Sequence, residues 1–236
     1  MTRDLVYGRR PVREALRGPR EVLELWASER AVRSEAWLSG FERPRVLTKL
    51  ERDLTEAAGT RDHQGVVAWC EPFRYADAFE LAAGDAPLLA CLDQVSDPRN
   101  LGAVIRSAEG AGATGVVVPA HGSAHVTAVV CRASAGAVEH LPVAVVSNLA
   151  RYLAEIKSGV LWVAGAVGES GTPMWQADLS GGIAFVFGAE GKGLRPLVRR
   201  TCDLEVSIPQ LGRVESLNVS VAAAVLLYEA RRQRDG

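Results

Sequence analysis

The chain has 236 residues, 48% of them hydrophobic, and a mean hydropathy of +0.06, which excludes disordered and fibrous classes and leaves room for one large domain or two modest ones. No run of about 18 uncharged apolar residues occurs, and the charged stretch Met1–Arg10 is not followed by an apolar segment, so neither a membrane span nor a signal peptide is expected and a cytoplasmic location is. A net charge of −1 and a pI near 6.4 do not advertise nucleic acid, yet the first 20 residues hold six Arg against only Asp4 and Glu14, so any basic face includes "RRPVREALRGPR".

From Pro11 to Cys70 the pattern is short and mixed. It predicts a helix near Pro11 to Leu16, a strand near Val22 to Trp26, a helix around Ser34, and strands at Arg45 to Leu47 and Gly65 to Trp69. These form a small α/β domain over 1–74. "YADAFELAAGDAP", Tyr75 to Pro87, loses the strand pattern, gains Ala, Gly and acid, and reads as a linker that is partly helical. Beyond it, over 88–236, apolar β-type runs recur at Leu88 to Val95, Gly115 to Val118, Val143 to Val146, Val160 to Val167, Ile183 to Phe187 and Leu204 to Ile208, separated mostly by helical stretches. Continuous apolar strands alternating with helices predict an α/β fold: a parallel sheet covered on both faces.

Within that frame, "GAGATG" (Gly110 to Gly115) satisfies G-x-G-x-x-G, but a helix precedes it and a strand follows, the reverse of the dinucleotide fingerprint. Gly110 or Gly112 is better read as a helix C-cap. "GAEGKGL" (Gly188 to Leu194) lacks the spacing and the Ser/Thr of a phosphate loop. It does follow the buried run "IAFVF", so it lies at the carboxyl end of a strand, where open α/β sheets bind ligands. "DQVSDPRNLGAVIRSAEG" (Asp93 to Gly110) ends another strand, with Asn100 positioned to cap a helix and Arg106 six residues further on. His121, His125 and His140 are read as loop residues rather than metal ligands. Cys70, Cys91, Cys131 and Cys202 form no CxxC pair, so no zinc site or disulfide framework is expected and buried thiols are.

Three segments, "LDQVSDPRNLGAVIRSAEGAG", "FVFGAEGKGL" and "SIPQLGRVESLNVSVAAAVLLYEA", resemble in this order the three motifs of the SpoU (TrmH-type) RNA ribose 2′-O-methyltransferases of the SPOUT group. "VYGRRPVREAL" and "DHQGVVA" are similar to the RNA-binding domain of the branch that methylates a guanosine of large-subunit rRNA. Gln210 stands where many relatives carry Met, and Ser107 where Thr is common. The resemblance implies a C-terminal trefoil knot, a homodimer built around it, S-adenosylmethionine as cofactor and RNA as substrate, with no metal. A threaded last helix, pressed on its own sheet and on a second subunit, would explain why "NVSVAAAVLLYEA" is apolar on almost every face.

The resemblance places Arg106, Asn100, Glu190, Ser216 and Asn218 in the catalytic pocket, with Ser216 and Asn218 also able to accept from the free amides of the last helix. It implies cofactor contacts, largely through backbone, at Gly188, Ile208, Leu217, Glu190, Gly193 and Asn218. RNA contacts are expected at Arg9, Arg10, Arg13 and Arg106. A guanidinium stays charged, so Arg106 is read as gripping a neighbouring phosphate or stabilising developing oxyanion charge, with the phosphate or solvent taking the proton. A tRNA or antibiotic-resistance rRNA methyltransferase, and a non-catalytic RNA-binding protein that kept the knot, are the alternative readings.

Overall fold

The computed structural model describes residues 2–41, 43–168, 170–213 and 216–236; Val214 and Glu215, inside the third motif, lie outside the described residues. The first elements are β1 (Asp4–Tyr7), α1 (Arg9–Ala15), β2 (Val22–Ser28), α2 (Glu29–Ser34), β3 (Val46–Lys49), α3 (Glu51–Ala58) and β4 (Val66–Cys70). Next come α4 (Ala78–Leu81), β5 (Leu88–Asp93), α5 (Pro98–Gly110), β6 (Gly115–Pro119), α6 (Ala128–Ala133), β7 (Val143–Val146) and α7 (Leu149–Ile156). The chain closes with β8 (Leu161–Val167), β9 (Thr172–Pro173), β10 (Gly182–Gly188), α8 (Pro196–Thr201), β11 (Leu204–Ser207) and α9 (Val219–Asp235).

Two compact units result, one of residues 1–74 with 126–140 and one of 75–125 with 141–236. The segment 126–140, which the sequence reading groups with the second part, therefore packs in the first. The first unit holds a four-stranded sheet in the order β1-β4-β2-β3, antiparallel except for the β2/β3 pair. Arg20, almost fully buried, ties 126–140 to the rest of this unit by pairing with Glu139 and reaching Asp4 at 3.4 Å.

The two quoted signatures of this unit are each other's partners. Gly8 N–H donates to Val66 O at 3.0 Å, Arg9 N–H to Gln64 Oε1 at 3.2 Å, and Arg9 Nε–H to Gln64 O at 3.2 Å. His63, buried, accepts from Gly65 N–H on Nδ1 at 3.0 Å, so its neutral ring carries the proton on Nε2, which meets Thr55 Oγ1 at 3.0 Å.

The second unit is a seven-stranded sheet ordered β7-β6-β5-β10-β8-β11-β9, with every pair parallel. The continuous apolar runs have the cause expected: Leu89, Ala90, Cys91 and Leu92 of β5 and Ala184, Phe185 and Val186 of β10 have no exposed surface. Part of the linker is built into this unit, since Ala76 bridges Ala144 and Tyr152 Oη donates to Ala78 O at 2.7 Å.

The end of α5 is a Schellman turn: Gly112, at φ +72°, donates to Glu109 O and Ala113 donates to Ala108 O. Gly112 is thus the cap glycine, and "GAGATG" is a helix stop. One other expectation is corrected. Asp97, not Asn100, caps α5, accepting from Arg99 N–H at 2.7 Å; Pro98 takes the first helical position, where its missing N–H costs nothing. Helix α9 is not covered all round by its own chain: Val219, Ala223, Leu226, Leu227 and Ala230 are buried, whereas Val221 is 46% and Tyr228 53% exposed.

Candidate active site

Strands β5 and β10 are neighbours at the centre of the sheet, with Asp93 in register with Gly188. Beyond β5 the chain leaves toward β6 on one side, and β10 is flanked by β8 on the other, so the loops after β5 and β10 border the crevice where such sheets take ligands. A cavity of about 320 Å³ opens there, lined by Gln94, Asp97, Asn100, Glu190, Lys192 and Val219 among others.

Residues from three distant segments converge on it. Asn100, in the first turn of α5, donates from Nδ2 to Glu190 Oε1 at 3.0 Å. Asn218 donates from Nδ2 to the same oxygen at 2.6 Å and to Asn100 Oδ1 at 3.0 Å. Its own Oδ1 accepts from Ser220 N–H at 2.8 Å, capping α9. Because Asp97 does the capping of α5, the Asn100 amide is released for this triad. Both helices start here, and their free N–H groups and dipoles favour negative charge at this point. Glu190 Oε2 has no partner among the described residues and remains available to a ligand hydroxyl.

The glycine loop has a steric cause. Gly193 N–H bonds back to Ala189 O at 2.9 Å, and a Cβ on Gly188 would collide with the Gly193 carbonyl carbon and oxygen. Gly191 and Gly193 hold φ of +72° and +65°, a region costly for other residues. Only a Gly-rich sequence closes this turn and leaves Glu190 at its tip.

The other expected residues fall as follows. Ser216 is exposed with no partner among the described residues, Leu217 is exposed, and Ile208 is half-buried just beyond β11. Arg106 is exposed and pairs with no described residue; six residues past Asn100, it lies about 120° around the helix from it. Within one chain, then, Arg106 is not brought into the triad. Arg9 is engaged internally, with Glu35 Oε1 at 2.7 Å from Nη1, Arg10 is exposed, and the Nε of half-buried Arg13 is buried without a partner among the described residues.

The sequence reading missed Asp93 and Arg195. Asp93 is fully buried and accepts from Arg195 N–H at 2.8 Å and Arg195 Nε–H at 2.7 Å, pinning the exit of the glycine loop to the end of β5. The signal available was an acid ending a continuous apolar run, "LLACLD". Gln94, at φ +61° beside Gly122, and Lys192 were missed as lining residues for want of any pattern.

Residues 87–228 match the model of the SpoU rRNA methylase family, and residues 5–76 match that of the RNA 2′-O ribose methyltransferase substrate-binding domain. The chain belongs to the SpoU rRNA methylase family. It is 40% identical over 241 residues to the 23S rRNA (guanosine-2′-O-)-methyltransferase RlmB of Shewanella oneidensis, covering 98% of each chain. Identity is 42% to RlmB of Pseudomonas putida, over 97% of this chain and 96% of that one. Among solved structures, the SpoU methyltransferase AviRb from Streptomyces viridochromogenes in complex with AdoMet superposes with a TM-score of 0.82 at 28% identity, over 98% of this chain and 90% of that one.

Proposed function

We propose that the chain transfers a methyl group from S-adenosylmethionine to the ribose 2′-hydroxyl of a guanosine in 23S rRNA, in the cytoplasm where that RNA is. The observation that carries the reading is the Asn100–Glu190–Asn218 triad at the carboxyl ends of β5 and β10, built from all three motif segments. The residues fit the cofactor. A cavity of about 320 Å³ lies within the range of small-molecule sites, and the turn at Gly188–Gly193 offers backbone groups to a ligand. When bound, S-adenosylmethionine supplies an electrophilic methyl group. Gly193, Ile208 and Leu217 contribute backbone contacts to it.

Glu190 accepts from the ribose through Oε2, its other oxygen being fixed by two amides, which holds the carboxylate in one orientation. Ser216, exposed and two residues before Asn218, adds a hydroxyl to the same mouth. As the new O–C bond forms and the sulfonium–methyl bond breaks, leaving the neutral thioether, the hydroxyl proton passes to the adjacent RNA phosphate or to solvent. Arg106 grips that phosphate and stabilises charge on the attacking oxygen. Arg10 and Arg13 on α1 add phosphate contacts.

Arg106 reaches the site from a second copy of the chain. Arg99, Ala103, Arg106 and Gly110 form one outer stripe of α5, which meets the apolar stripe of exposed Val221, half-buried Val225 and exposed Tyr228 on α9 where Tyr228 Oη passes Gly110. A homodimer covering the apolar stripe sets Arg106 at its edge. Family resemblance and the return of α9 from β11 to lie along α5 and β10 support a trefoil knot in this unit.

Calorimetry with S-adenosylmethionine, followed by mapping of ribose methylation on 23S rRNA from a deletion strain and its complemented partner, tests the reading. Cofactor binding and one guanosine losing its methyl group in the deletion strain are expected. Unchanged methylation would overturn the substrate assignment, and absence of cofactor binding would overturn the activity.

A further inference from the structure

The half of the first-unit sheet not under α3 carries an aromatic and cationic surface with no part in the methyl-transfer site. Strand register puts Leu5, Trp69 and Glu24 in one row across β1, β4 and β2, and Tyr7, Val67, Trp26 and Leu47 in the next across all four strands. On the opposite face Val6, Ala68 and Leu25 have no exposed surface. On this face closure is partial. Leu54 and Ala58 of α3 pack with Tyr7 and Val67; Trp26 and Trp69 pack against the same cluster but remain only half-buried, and Leu47 is exposed.

Two of the five tryptophans of the chain therefore meet at the partly exposed margin of this cluster, edge to face with ring centroids 4.5 Å apart. Their outer sides carry cations: Lys49 Nζ lies 4.5 Å from the Trp26 ring centre and the Arg3 guanidinium 5.8 Å from that of Trp69. Glu24 fixes the pair from the side, accepting from Trp26 Nε1–H at 2.7 Å and from Arg3 at 3.0 Å. Arg45, two residues before Leu47 on the same edge, is exposed and pairs with no described residue.

We propose that this face is a stacking platform for unpaired bases of the RNA substrate, with Trp69 and Trp26 taking base faces and Arg3, Lys49 and Arg45 taking the flanking phosphates. Indole faces accept any base, and cations at their rim match the charge of the strand. An exposed cation–π contact is weaker than a base–indole stack, so Lys49 and Arg3 move from ring to phosphate when a base arrives. A protein partner would be served by bare apolar rings and has no use for a cation over each. The inference rests on the RNA methyltransferase reading and names the surface of the first unit that grips that RNA.

The test compares full-length wild type with Trp69→Leu and with Lys49→Glu, using an rRNA fragment as methyl acceptor. Trp69→Leu is expected to raise the KM for RNA about 5- to 100-fold, the range for one lost base stack, with kcat and S-adenosylmethionine affinity unchanged. Lys49→Glu, on an edge strand that tolerates charge, is expected to raise the same KM and to flatten its salt dependence. Unpaired RNA should quench the tryptophan emission of wild type more than that of Trp69→Leu, and duplex RNA of equal length should not.

Unchanged KM in both variants beside an active wild type overturns the platform and leaves the methyltransferase reading standing. A wild type that methylates no RNA overturns the reading beneath it. If Trp69→Leu fails to fold, Lys49→Glu decides alone. Variants that bind naked RNA normally but are captured poorly by ribosomal particles would assign the face to a protein and overturn the proposal.

Discussion

Asn218 holds Glu190 from 28 residues away in the chain, its Nδ2 lying 2.6 Å from Glu190 Oε1, while its Oδ1 caps α9. One amide thus couples the start of the last helix to the tip of the glycine loop. Replacing Asn218 by Ala removes both functions and should cost about 1 kcal/mol of stability for the cap and about 10²-fold in turnover for the misplaced carboxylate. Asn218→Asp separates them. It still caps, so urea unfolding should stay near wild type, but it sets a second carboxylate against Glu190 and methyl transfer should fall as far. Normal turnover in Asn218→Asp would remove Asn218 from the site.

Arg106→Ala should lower turnover by about 10² or more, the scale of lost transition-state electrostatics, with cofactor affinity unchanged. Arg106→Lys should also be poor, since it lacks the planar fork. A mixed dimer of one Arg106→Ala chain and one Asn218→Ala chain holds one site with both lesions and one with neither if Arg106 acts across the interface. Recovery of activity on mixing the two inactive homodimers is the expected result. A mixture that exchanges subunits but stays inactive would place Arg106 in its own chain's site.

Gly188→Ala and Gly191→Ala should behave differently, although both glycines sit in one loop. At Gly188 a methyl group collides with the Gly193 backbone, so the turn must open and S-adenosylmethionine affinity should be lost. At Gly191 the space is open and only the positive φ opposes the change, a penalty of about 1 kcal/mol. Calorimetric titration distinguishes them, and equal affinities would mean that loop shape is irrelevant to the cofactor.

Arg195→Met strands the Asp93 carboxylate, which has no exposed surface, and should destabilise the protein by about 3–5 kcal/mol. Asp93→Asn should cost less, because Arg195 is 44% exposed and can turn to water while the amide oxygen still accepts from Arg195 N–H. The ordering of the two urea midpoints is the measurement. A milder loss for Arg195→Met would show the pair to be incidental.

Burial pushes the Cys70 and Cys131 thiols up to about 12 and Cys202 to about 11, and raises Cys91 as well. A raised thiol pKa means less thiolate at any pH below it, so native protein at pH 8 should react slowly with a disulfide reagent, Cys202 first, and faster as pH rises toward 11. Denatured protein should expose four fast thiols. A native thiol reacting at pH 8 as fast as free cysteine would contradict this packing.

The strands of the second unit other than the two-residue β9 were legible because a strand buried on both faces has to be largely apolar. The strand β1 (Asp4–Tyr7) was not, being four residues long with one acid, nor was α3, whose only fully buried side chain is Leu54. Asp97 and Asn100 are both good capping residues, and local sequence does not choose between them. The choice follows from where Glu190 stands, 90 residues on. The same holds for residues 126–140, whose composition gives no sign that they pack with the first unit.

Sequence by itself determined most of the elements, their alternation in the second unit and the family, because hydrophobic period, glycine placement and motif order are written in neighbouring residues. Tertiary structure decided which ends meet. Strand order brings β5 beside β10, α9 returns along α5, and only then do Asn100, Glu190 and Asn218 share hydrogen bonds while Arg106 faces outward. Contacts between residues about a hundred positions apart depend on how whole layers pack, which no local pattern encodes.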